Sequence, residues 1–479
     1  MNFSGELLLR FARHSAQLAG FAILTVAMGQ AAGAQSAARN MLPAHSLSRI
    51  CRVAEANFDG WNAETISNDW VTLTFVPQLG GRLMQVTFAG HPFLFVNAQF
   101  KGKYIPPVDN GALGQWTNYG GDKIWPMPEG VQDSQHWPGP ISDVLDDGEY
   151  TFKALSQGAR CTLRLEGPAD PRTGLQYSRE ITLAGNSPEI QFHAMMKNSS
   201  KHLIEWSMQS VTQYDTASSQ SSGDYNHDFW AFTPANPHSA YLGGYHVRSG
   251  LADDPSFAVK SDMFTLHWLY LQNEVWIDSP GGWVAVMDRA AQFAMIERFK
   301  FYEGAKYPGK ASVIFYKNGP SVGLDPKGMP IIRTHPDDTP YYMEAELNSP
   351  MVKLQPGETY AMDTQWYPAR ASDAFDAVTA AGVVAQPLAA SRAANSVTIS
   401  GAFGVFWPGR IVAYFYNAKG AKLKTIRIES VDPADFVKLN QTIEAPPAAS
   451  RISLHLVDEQ GNDHGTLSEA DVSRAKGNS

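Results

Sequence analysis

The stretch Trp70-Val-Thr-Leu-Thr-Phe-Val76, continued by Pro77-Gln-Leu-Gly-Gly81 and Arg82-Leu-Met-Gln-Val-Thr-Phe88, decides the fold. Its first segment places Val71, Leu73 and Phe75 on one face of an extended chain, with the remaining side chains on the other. The Pro and Gly residues between the two apolar segments are typical of a turn. The stretch therefore predicts two antiparallel strands that are joined by a tight connection.

The same texture of short apolar runs, broken by Gly, Pro, Asn and Asp, continues through most of the chain. Strand-like runs lie at 149–155, 160–166, 176–183, 189–196, 203–214, 263–271, 274–278, 282–287, 293–302, 311–317, 341–347 and 359–367. Helical periodicity is scarce in this region. So many short strands indicate an all-β protein with a large two-sheet antiparallel β-sandwich or a barrel, which we assign to 48–370.

A change of composition ends this region. Residues 371–395 are rich in Ala, with almost no aromatic residues, and are expected to form a short helix and a linker. Four strand-like runs follow within 396–467, which is long enough for a small C-terminal β-sandwich. Residues 468–479 are expected to be a tail.

Composition and charge exclude several classes of protein. The 479 residues are 44% hydrophobic and 18% charged, which excludes wholesale disorder and fibrous architecture. The formal net charge is −9, and no run of five basic residues occurs. Because nucleic-acid binders carry clustered Lys and Arg, we expect no nucleic-acid partner.

The N-terminus has the three parts of a secretory signal. Arg10 and Arg13 precede an uncharged stretch at 18–29, and Ala32 and Ala34 follow at the spacing of a cleavage site. The alternatives are an uncleaved anchor or a buried helix. We expect a signal peptide at 1–34 and a flexible leader at 35–47, with an exported, periplasmic or secreted, mature protein. The apolar stretch is far shorter than the ~20 residues of a spanning helix, so no membrane span is expected after its removal.

Cysteine usage and local motifs give few further clues. Cys51 and Cys161 could pair in an oxidising compartment, but two buried free thiols fit the sequence as well. The sequence contains no HExxH, P-loop or GxGxxG motif. We therefore predict neither a metal site nor a cofactor.

The densest unusual segment is WTNYGGDKIWPMPEGVQDSQHW at 116–137, in which aromatic residues surround polar groups. Flat aromatic faces cover the apolar C–H face of a sugar, and amide, carboxylate and ammonium groups bind its hydroxyls. The alternative is an aromatic loop that plugs one end of the sandwich. The candidate binding residues here are Trp116, Asn118, Tyr119, Asp122, Lys123, Trp125 and Trp137.

Two later strands carry polar faces. Alternation places Glu205 and Gln213 on one side of the strand at 205–215, where they line a cleft or face solvent. Glu344 and Glu346 share a strand face, and two close carboxylates raise each other's pKa, an arrangement common for a general base. Most such pairs are solvated surface. Lys300 could add a charge to the same cleft.

These residues also resemble a family. Leu73–Arg82 with Val86–Gly90, Trp116–Pro126 and Tyr342–Pro350 look like segments of galactose mutarotase-like proteins, including a secreted bacterial group of unassigned function. The resemblance spans about 70–370 and implies a mutarotase-like sandwich. It also implies that Glu344 or Glu346 is the base of an aldose 1-epimerase, whereas Gln213 stands where that family has its acid, a His. Lys123 or a histidine is then the candidate acid.

Three functions follow from these observations. The first is an exported carbohydrate-binding protein that holds a sugar or oligosaccharide in an aromatic-lined cleft. The second is a sugar-active enzyme, an epimerase, lyase or hydrolase, with a Glu base. The third is a structural or assembly module of the envelope whose C-terminal sandwich binds a protein partner. Convergence of Glu344, Lys123 and Trp116 in one place would favour the first two over the third.

Overall fold

The computed structural model describes residues 49–107, 116–130, 136–320, 322–324, 330–332 and 340–474, all within the compact unit Leu47–Ser479. The predicted signal peptide at 1–34, the leader at 35–47 and residues 475–479 of the predicted tail lie outside the described residues. Within the described ranges, no helix has both the length and the apolar character needed to cross a membrane.

The described chain is built almost entirely of strands, as predicted. Those before residue 371 are β1 (Arg52–Phe58), β2 (Trp61–Ser67), β3 (Val71–Val76), β4 (Arg82–Phe88), β5 (His91–Pro92), β6 (Asp122–Met127), β7 (Thr151–Ser156), β8 (Arg160–Ala169), β9 (Leu175–Ala184), β10 (Ile190–Asn198), β11 (Ile204–Asp215), β12 (Phe229–Pro234), β13 (His246–Gly250), β14 (Phe257–Lys260), β15 (Met263–His267), β16 (Asn273–Ile277), β17 (Trp283–Asp288), β18 (Phe293–Phe299), β19 (Val313–Lys317), β20 (Val322–Leu324), β21 (Pro330–Ile332), β22 (Tyr342–Asn348), β23 (Val352–Leu354) and β24 (Thr359–Arg370). Within the described ranges, three short 3₁₀ turns interrupt them, at Ala98–Phe100, Leu242–Gly244 and Pro308–Lys310.

Two large antiparallel sheets form the β-sandwich. The 12-stranded sheet has the order β1-β2-β3-β4-β6-β11-β22-β19-β16-β13, with β5 beside β4 and β23 beside β11. The 10-stranded sheet has the order β14-β15-β12-β17-β18-β24-β10-β9-β8-β7. A continuous apolar core includes the fully buried indoles of Trp137, Trp268 and Trp366. The stretch that decides the fold forms β3 and β4, which pair as predicted.

The C-terminal strands are β25 (Ala377–Val378), β26 (Gly382–Ala393), β27 (Ser396–Val405), β28 (Gly409–Tyr416), β29 (Lys422–Val431), β30 (Phe436–Glu444), β31 (Arg451–Asp458), β32 (Asp463–Asp471) and β33 (Ser473–Arg474). They form a five-stranded and a four-stranded sheet with an apolar cluster of their own. The expectation of a helix and linker at 371–395 is wrong, because β25 and β26 occupy most of this segment. Val383, Val384 and Leu388 are buried there, and pairing with β27 overrides the helical preference of Ala. The domain boundary at this segment stays a prediction.

The question of the two cysteines is resolved by a disulfide. Cys51 and Cys161 are bonded, with their Cα atoms 5.8 Å apart, within the range that a disulfide requires. Cys51 directly precedes β1 of the 12-stranded sheet, and Cys161 lies on β8 of the 10-stranded sheet. The bond therefore joins the two layers of the sandwich.

Candidate functional site

Five neighbouring strands of the 12-stranded sheet bring polar side chains together on one face. In the strand order β6-β11-β22, Lys123 stands opposite Val211, and Val211 stands opposite Glu346. Two residues further along β11, Gln213 stands opposite Glu344. Directly opposed residues point to the same face, with Cβ atoms about 4.5–5.5 Å apart. The sheet order thus assembles one polar cluster from distant parts of the chain.

We call five buried residues of this cluster the site floor. Their exposed fractions are 5% or less, and they are Lys123, Gln209, Gln213, Glu344 and Glu346. Polar groups that are this deeply buried require partners, because an unpaired buried charge is strongly destabilising. Their hydrogen bonds are therefore the central feature of the site.

Glu344 is the centre of the site floor. Lys123 Nζ lies 3.5 Å from Glu344 Oε1. Gln213 Nε2 donates a hydrogen bond of 2.6 Å to the same oxygen. Burial lowers the pKa of Lys123, and the nearby Glu344 carboxylate opposes part of that shift. Two donors thus meet at one carboxylate oxygen.

Glu346 differs from its neighbour in its electrostatic surroundings. Gln209 Nε2 donates to Glu346 Oε2 at 2.5 Å. Burial raises the pKa of Glu346 well above its usual range, and the carboxylates of Glu344, Glu129 and Glu274 raise it further. Glu346 therefore holds a proton at a pH where an ordinary glutamate is ionised. The site floor places a carboxyl group with a raised pKa two residues from a carboxylate that receives two donors.

Half-buried residues surround the floor and form its rim. Burial raises the pKa of both Glu129 and Glu274, and repulsion from the Glu344 carboxylate raises each pKa further. Trp276 Nε1 donates to Glu274. Tyr316 stands between Glu344 and Glu274 in the register, with its ring half-buried. Four carboxyl groups therefore surround one buried ammonium, and the exposed guanidinium of Arg248 opposes part of the rise in the pKa of Glu129 and Glu274.

Two indoles hold the ammonium group in place. Lys123 Nζ lies 4.4 Å from the ring centre of Trp125 and 5.4 Å from that of Trp116. The two indole N–H groups donate to the two oxygens of Asp146, at 2.6 Å and 2.7 Å. Arg82 pairs with the same carboxylate at 2.8 Å. Asp146 thereby fixes both rings, and the rings fix Lys123 by cation–π contact.

Several buried polar atoms of the site have no partner among the described residues. They include the amide oxygens of Gln209 and Gln213 and one carboxyl oxygen of Glu129. Both glutamines are fully buried, and each already donates to a glutamate. A buried acceptor without a donor costs about 1–3 kcal/mol. The site can therefore gain from a ligand or water that supplies hydroxyl protons.

The structure brings together most, but not all, of the residues that the sequence singled out. Asp122 lies outside the site, because adjacent strand residues point to opposite faces. Its carboxylate pairs with Arg179 at 2.5 Å and accepts from Thr212, between the two sheets. Glu297 of the facing sheet joins the same buried network through Thr212.

Two of the predicted residues in the segment 116–137 are buried in the protein interior, away from the site. Tyr119 is fully buried against Trp61, and its hydroxyl accepts the backbone N–H of Ile105. Trp137 is fully buried and donates to Asp143 at 2.7 Å. Asn118, by contrast, is half-buried and hydrogen-bonds the side chain of Tyr342, the residue two positions before Glu344. Asn118 and Trp116 therefore belong to the rim.

The two remaining predicted residues lie away from the floor. Glu205 pairs with Lys306 at 3.3 Å and with Lys353 at 3.8 Å, at the opposite end of β11 from Gln213. Lys300 is exposed, with its ammonium 4.6 Å from the ring centre of Tyr302.

Sequence reasoning missed four residues of the site as candidates. These are Glu129, Gln209, Glu274 and Tyr316. A signal for Glu274 was present, because it alternates with Trp276 in a short strand-like run with apolar residues on its other face. No group of three His, Cys, Asp or Glu side chains within the described ranges is arranged to hold a metal ion.

Comparisons with known proteins concern the fold. No family model matches the chain. It is similar to a galactose mutarotase-like protein from Clostridium acetobutylicum, with 10% identity, a TM-score of 0.42, and 67% of this chain and 99% of that chain covered. It is also similar to a galactose mutarotase-like protein from Lactobacillus casei ATCC 334, with 10% identity, a TM-score of 0.38 and coverages of 64% and 99%.

A TPR-domain containing protein from Parabacteroides distasonis ATCC 8503 is similar as well, with 15% identity and a TM-score of 0.41. The match covers 67% of this chain but 48% of that one, so this chain spans about half of its length. Two of these three solved structures are described as galactose mutarotase-like, the family that the sequence resembles.

Proposed function

We propose that the protein binds a sugar at the site floor and its rim. The observation that carries this proposal is the pair of fully buried glutamines whose amide oxygens have no donor among the described residues. Sugar hydroxyls both donate and accept hydrogen bonds, so they suit amide oxygens that lie beside carboxylates and an ammonium group. The half-buried ring of Trp116 adds an apolar surface at the rim.

The convergence of Glu344, Lys123 and Trp116 favours this proposal over a purely structural module. Lys123 contacts both of the other two side chains, through an ion pair and a cation–π contact. Burying charged groups is costly, and functional sites are where such clusters concentrate. Replacing a buried ion pair by apolar residues of similar volume is often neutral or stabilising, so folding alone does not require this cluster.

A second candidate function is acid–base catalysis on the bound sugar. Glu344 would take the proton of the anomeric hydroxyl, and Glu346, which retains its proton to a higher pH, would donate one to the ring oxygen. This opens the ring, and the reverse transfers close it to the other anomer. The missing histidine acid of the family would then be replaced by a carboxylic acid.

We further propose that the protein is exported to the periplasm or beyond the cell. The disulfide between Cys51 and Cys161 supports this proposal, because disulfides persist in oxidising compartments and are rare in the cytosol. The charged, apolar and small-residue segments at 1–34 point in the same direction.

One-dimensional NMR of the purified protein with a panel of free sugars and oligosaccharides tests both functions. Binding should broaden ligand resonances, and Gln213→Leu should abolish the broadening. Gln365→Leu is the matched control, because Gln365 is exposed on β24 of the other sheet. Faster exchange between anomers that disappears in Glu344→Gln would establish the enzyme. Neither effect across a broad panel would contradict sugar binding and favour the assembly module.

A further inference from the structure

A cleft separate from the site floor is lined by residues of β11, the strand that also carries Gln209 and Gln213. It has a volume of about 650 Å³ and is lined by residues around the start of β11. Glu205 in this cleft is four residues before Gln209, so the two positions are about 13 Å apart along the strand. Glu205 and Gln209 are separated by an even number of residues along the strand, so their side chains lie on the same face of the sheet. Pro128, which also lines the cleft, directly precedes Glu129 of the rim.

Positively charged side chains outnumber carboxylates around this cleft. Arg172, Lys306, His136 and His202 line it, and Glu205 is the one carboxylate among its lining residues in the described chain. Glu205 already pairs with Lys306 at 3.3 Å and with Lys353 at 3.8 Å. Two ammonium groups therefore share one carboxylate, which leaves a positive surplus on a chain whose net charge is −9.

Arg172 adds a further positive charge. Its side chain is exposed at the cleft and forms no ion pair with any described residue. The nearest acidic residue in sequence, Asp170, is buried, and its carboxylate accepts from Thr173 and from the backbone N–H of Arg172. A planar guanidinium is well suited to bind a carboxylate or a sulfate through two parallel hydrogen bonds.

One part of the cleft wall is apolar. It is formed by Pro128, Pro171, Leu203, Ile204 and Met351. Leu203 is 54% exposed, so an apolar surface is accessible beside the cations. Such a wall covers the C–H face of a sugar ring, while the cations bind an acidic substituent.

We propose that this cleft binds the anionic group of a glycan, a uronate carboxylate or a sulfate ester, while a neighbouring sugar of that glycan occupies the site floor. This inference rests on the proposed sugar binding and names its substrate class. The ammonium group of the floor is already paired with Glu344, so the floor offers no free cation to an anionic sugar, whereas Arg172 in the cleft is exposed and unpaired among the described residues. The two regions together select an oligosaccharide whose charge lies at one end and not at the other.

Calorimetric titration of the purified protein tests the inference with four probes. They are an oligogalacturonate, a sulfated galacto-oligosaccharide, a neutral galacto-oligosaccharide and a polyglutamate peptide. We expect an anionic glycan to bind at least about tenfold more tightly than the neutral one at low salt, with the advantage shrinking at high salt. The two anionic probes distinguish the carboxylate from the sulfate.

The double variant Arg172→Gln/Lys306→Gln should remove the advantage of the anionic glycan and leave binding of the neutral one unchanged. Lys153→Gln/Lys419→Gln removes the same charge from exposed positions outside the cleft and should behave as the wild type. Equal affinity for neutral and anionic glycans, an unchanged preference in the cleft variant, or tighter binding of polyglutamate would overturn the inference.

The outcome for Gln213→Leu separates this inference from the proposed function. If that variant abolishes neutral binding while the anionic preference is absent in the wild type, sugar binding stands and the cleft proposal fails. If the wild type binds none of the three glycans, the proposed function fails, and the cleft proposal fails with it.

Discussion

Lys123 and Glu344 form an almost completely buried ion pair, with 3.5 Å between Nζ and Oε1 and exposed fractions of 2% and 5%. The two residues are 221 positions apart in the sequence and come from β6 and β22, which are separated by β11. The hydrogen bond from Gln213 of β11 to the same carboxylate closes the arrangement. Three strands therefore depend on one another for the electrostatic balance of the site.

Removal of one member of this pair should destabilise the fold strongly. Lys123→Met leaves Glu344 buried without its cation, and we expect a loss of about 3–5 kcal/mol in the free energy of unfolding. Urea denaturation measures this loss. Arg451→Met is the control, because the Arg451–Glu469 pair is 41% and 52% exposed and should change stability by less than about 1 kcal/mol. Equal effects of the two variants would contradict the prediction.

Stability should fall between pH 6 and pH 8 because of Glu297. Burial raises the pKa of this residue to about 8, and hydrogen bonds from Tyr214 and Thr212 oppose part of the shift. In that range the native state retains a proton that the unfolded state, with an ordinary pKa near 4.5, has released. This contribution is therefore fully favourable below pH ~4.5 and is lost as the pH rises through about 8.

The isosteric change Glu297→Gln removes this titration. We expect the wild type to lose roughly 2 kcal/mol more than the variant between pH 6 and pH 8. Chemical denaturation of both proteins at several pH values measures the difference. Parallel stability profiles would show that Glu297 titrates outside this range.

The disulfide should be a major source of stability. The double change Cys51→Ser/Cys161→Ser frees a loop of 110 residues, for which loop closure predicts a loss of about 4–5 kcal/mol. Thermal unfolding with and without reductant measures it, and thiol titration of the unfolded wild type should detect no free thiol. Two reactive thiols in the purified protein would contradict the bond.

The two tryptophans that flank Lys123 should respond differently to truncation. Trp125 is 3% exposed, so Trp125→Ala should lower stability by about 3–5 kcal/mol. Trp116 is half-buried at the rim, and Trp116→Ala should weaken sugar binding while the protein remains folded. Circular dichroism and the NMR binding assay measure the two properties separately. Unchanged sugar binding in Trp116→Ala would remove this ring from the site.

The fold was predictable because period-two patterning is local. Val71, Leu73 and Phe75 reveal the buried face of β3 without any knowledge of its neighbours. The segment at 371–395 differs from its prediction because Ala prefers helices in isolation, whereas Ala385 and Ala390 pack into a sheet. Pairing of β26 with β27 determines the secondary structure of this segment, and the amino-acid composition carries no information about that pairing.

The site was only partly predictable for the same reason. Glu344 and Glu346 are close in sequence, so their shared face is visible in the pattern. Glu274 joins them because β16 and β22 both pair with β19, an order that no local pattern specifies. Asp122 shows the converse case, since its neighbour Lys123 faces the site and strand alternation sends Asp122 to the opposite side.

The contacts of Asp146 have a consequence for the natural variation of this protein. One carboxylate accepts the indole N–H groups of Trp116 and Trp125 and pairs with Arg82, so these four positions share a single hydrogen-bonding unit. Loss of the acidic group would leave the two indole N–H groups without their acceptor and would remove one of the two carboxylates that pair with Arg82. Substitutions at these four positions should therefore occur together, and an alignment of related sequences should show the positions as one covarying set.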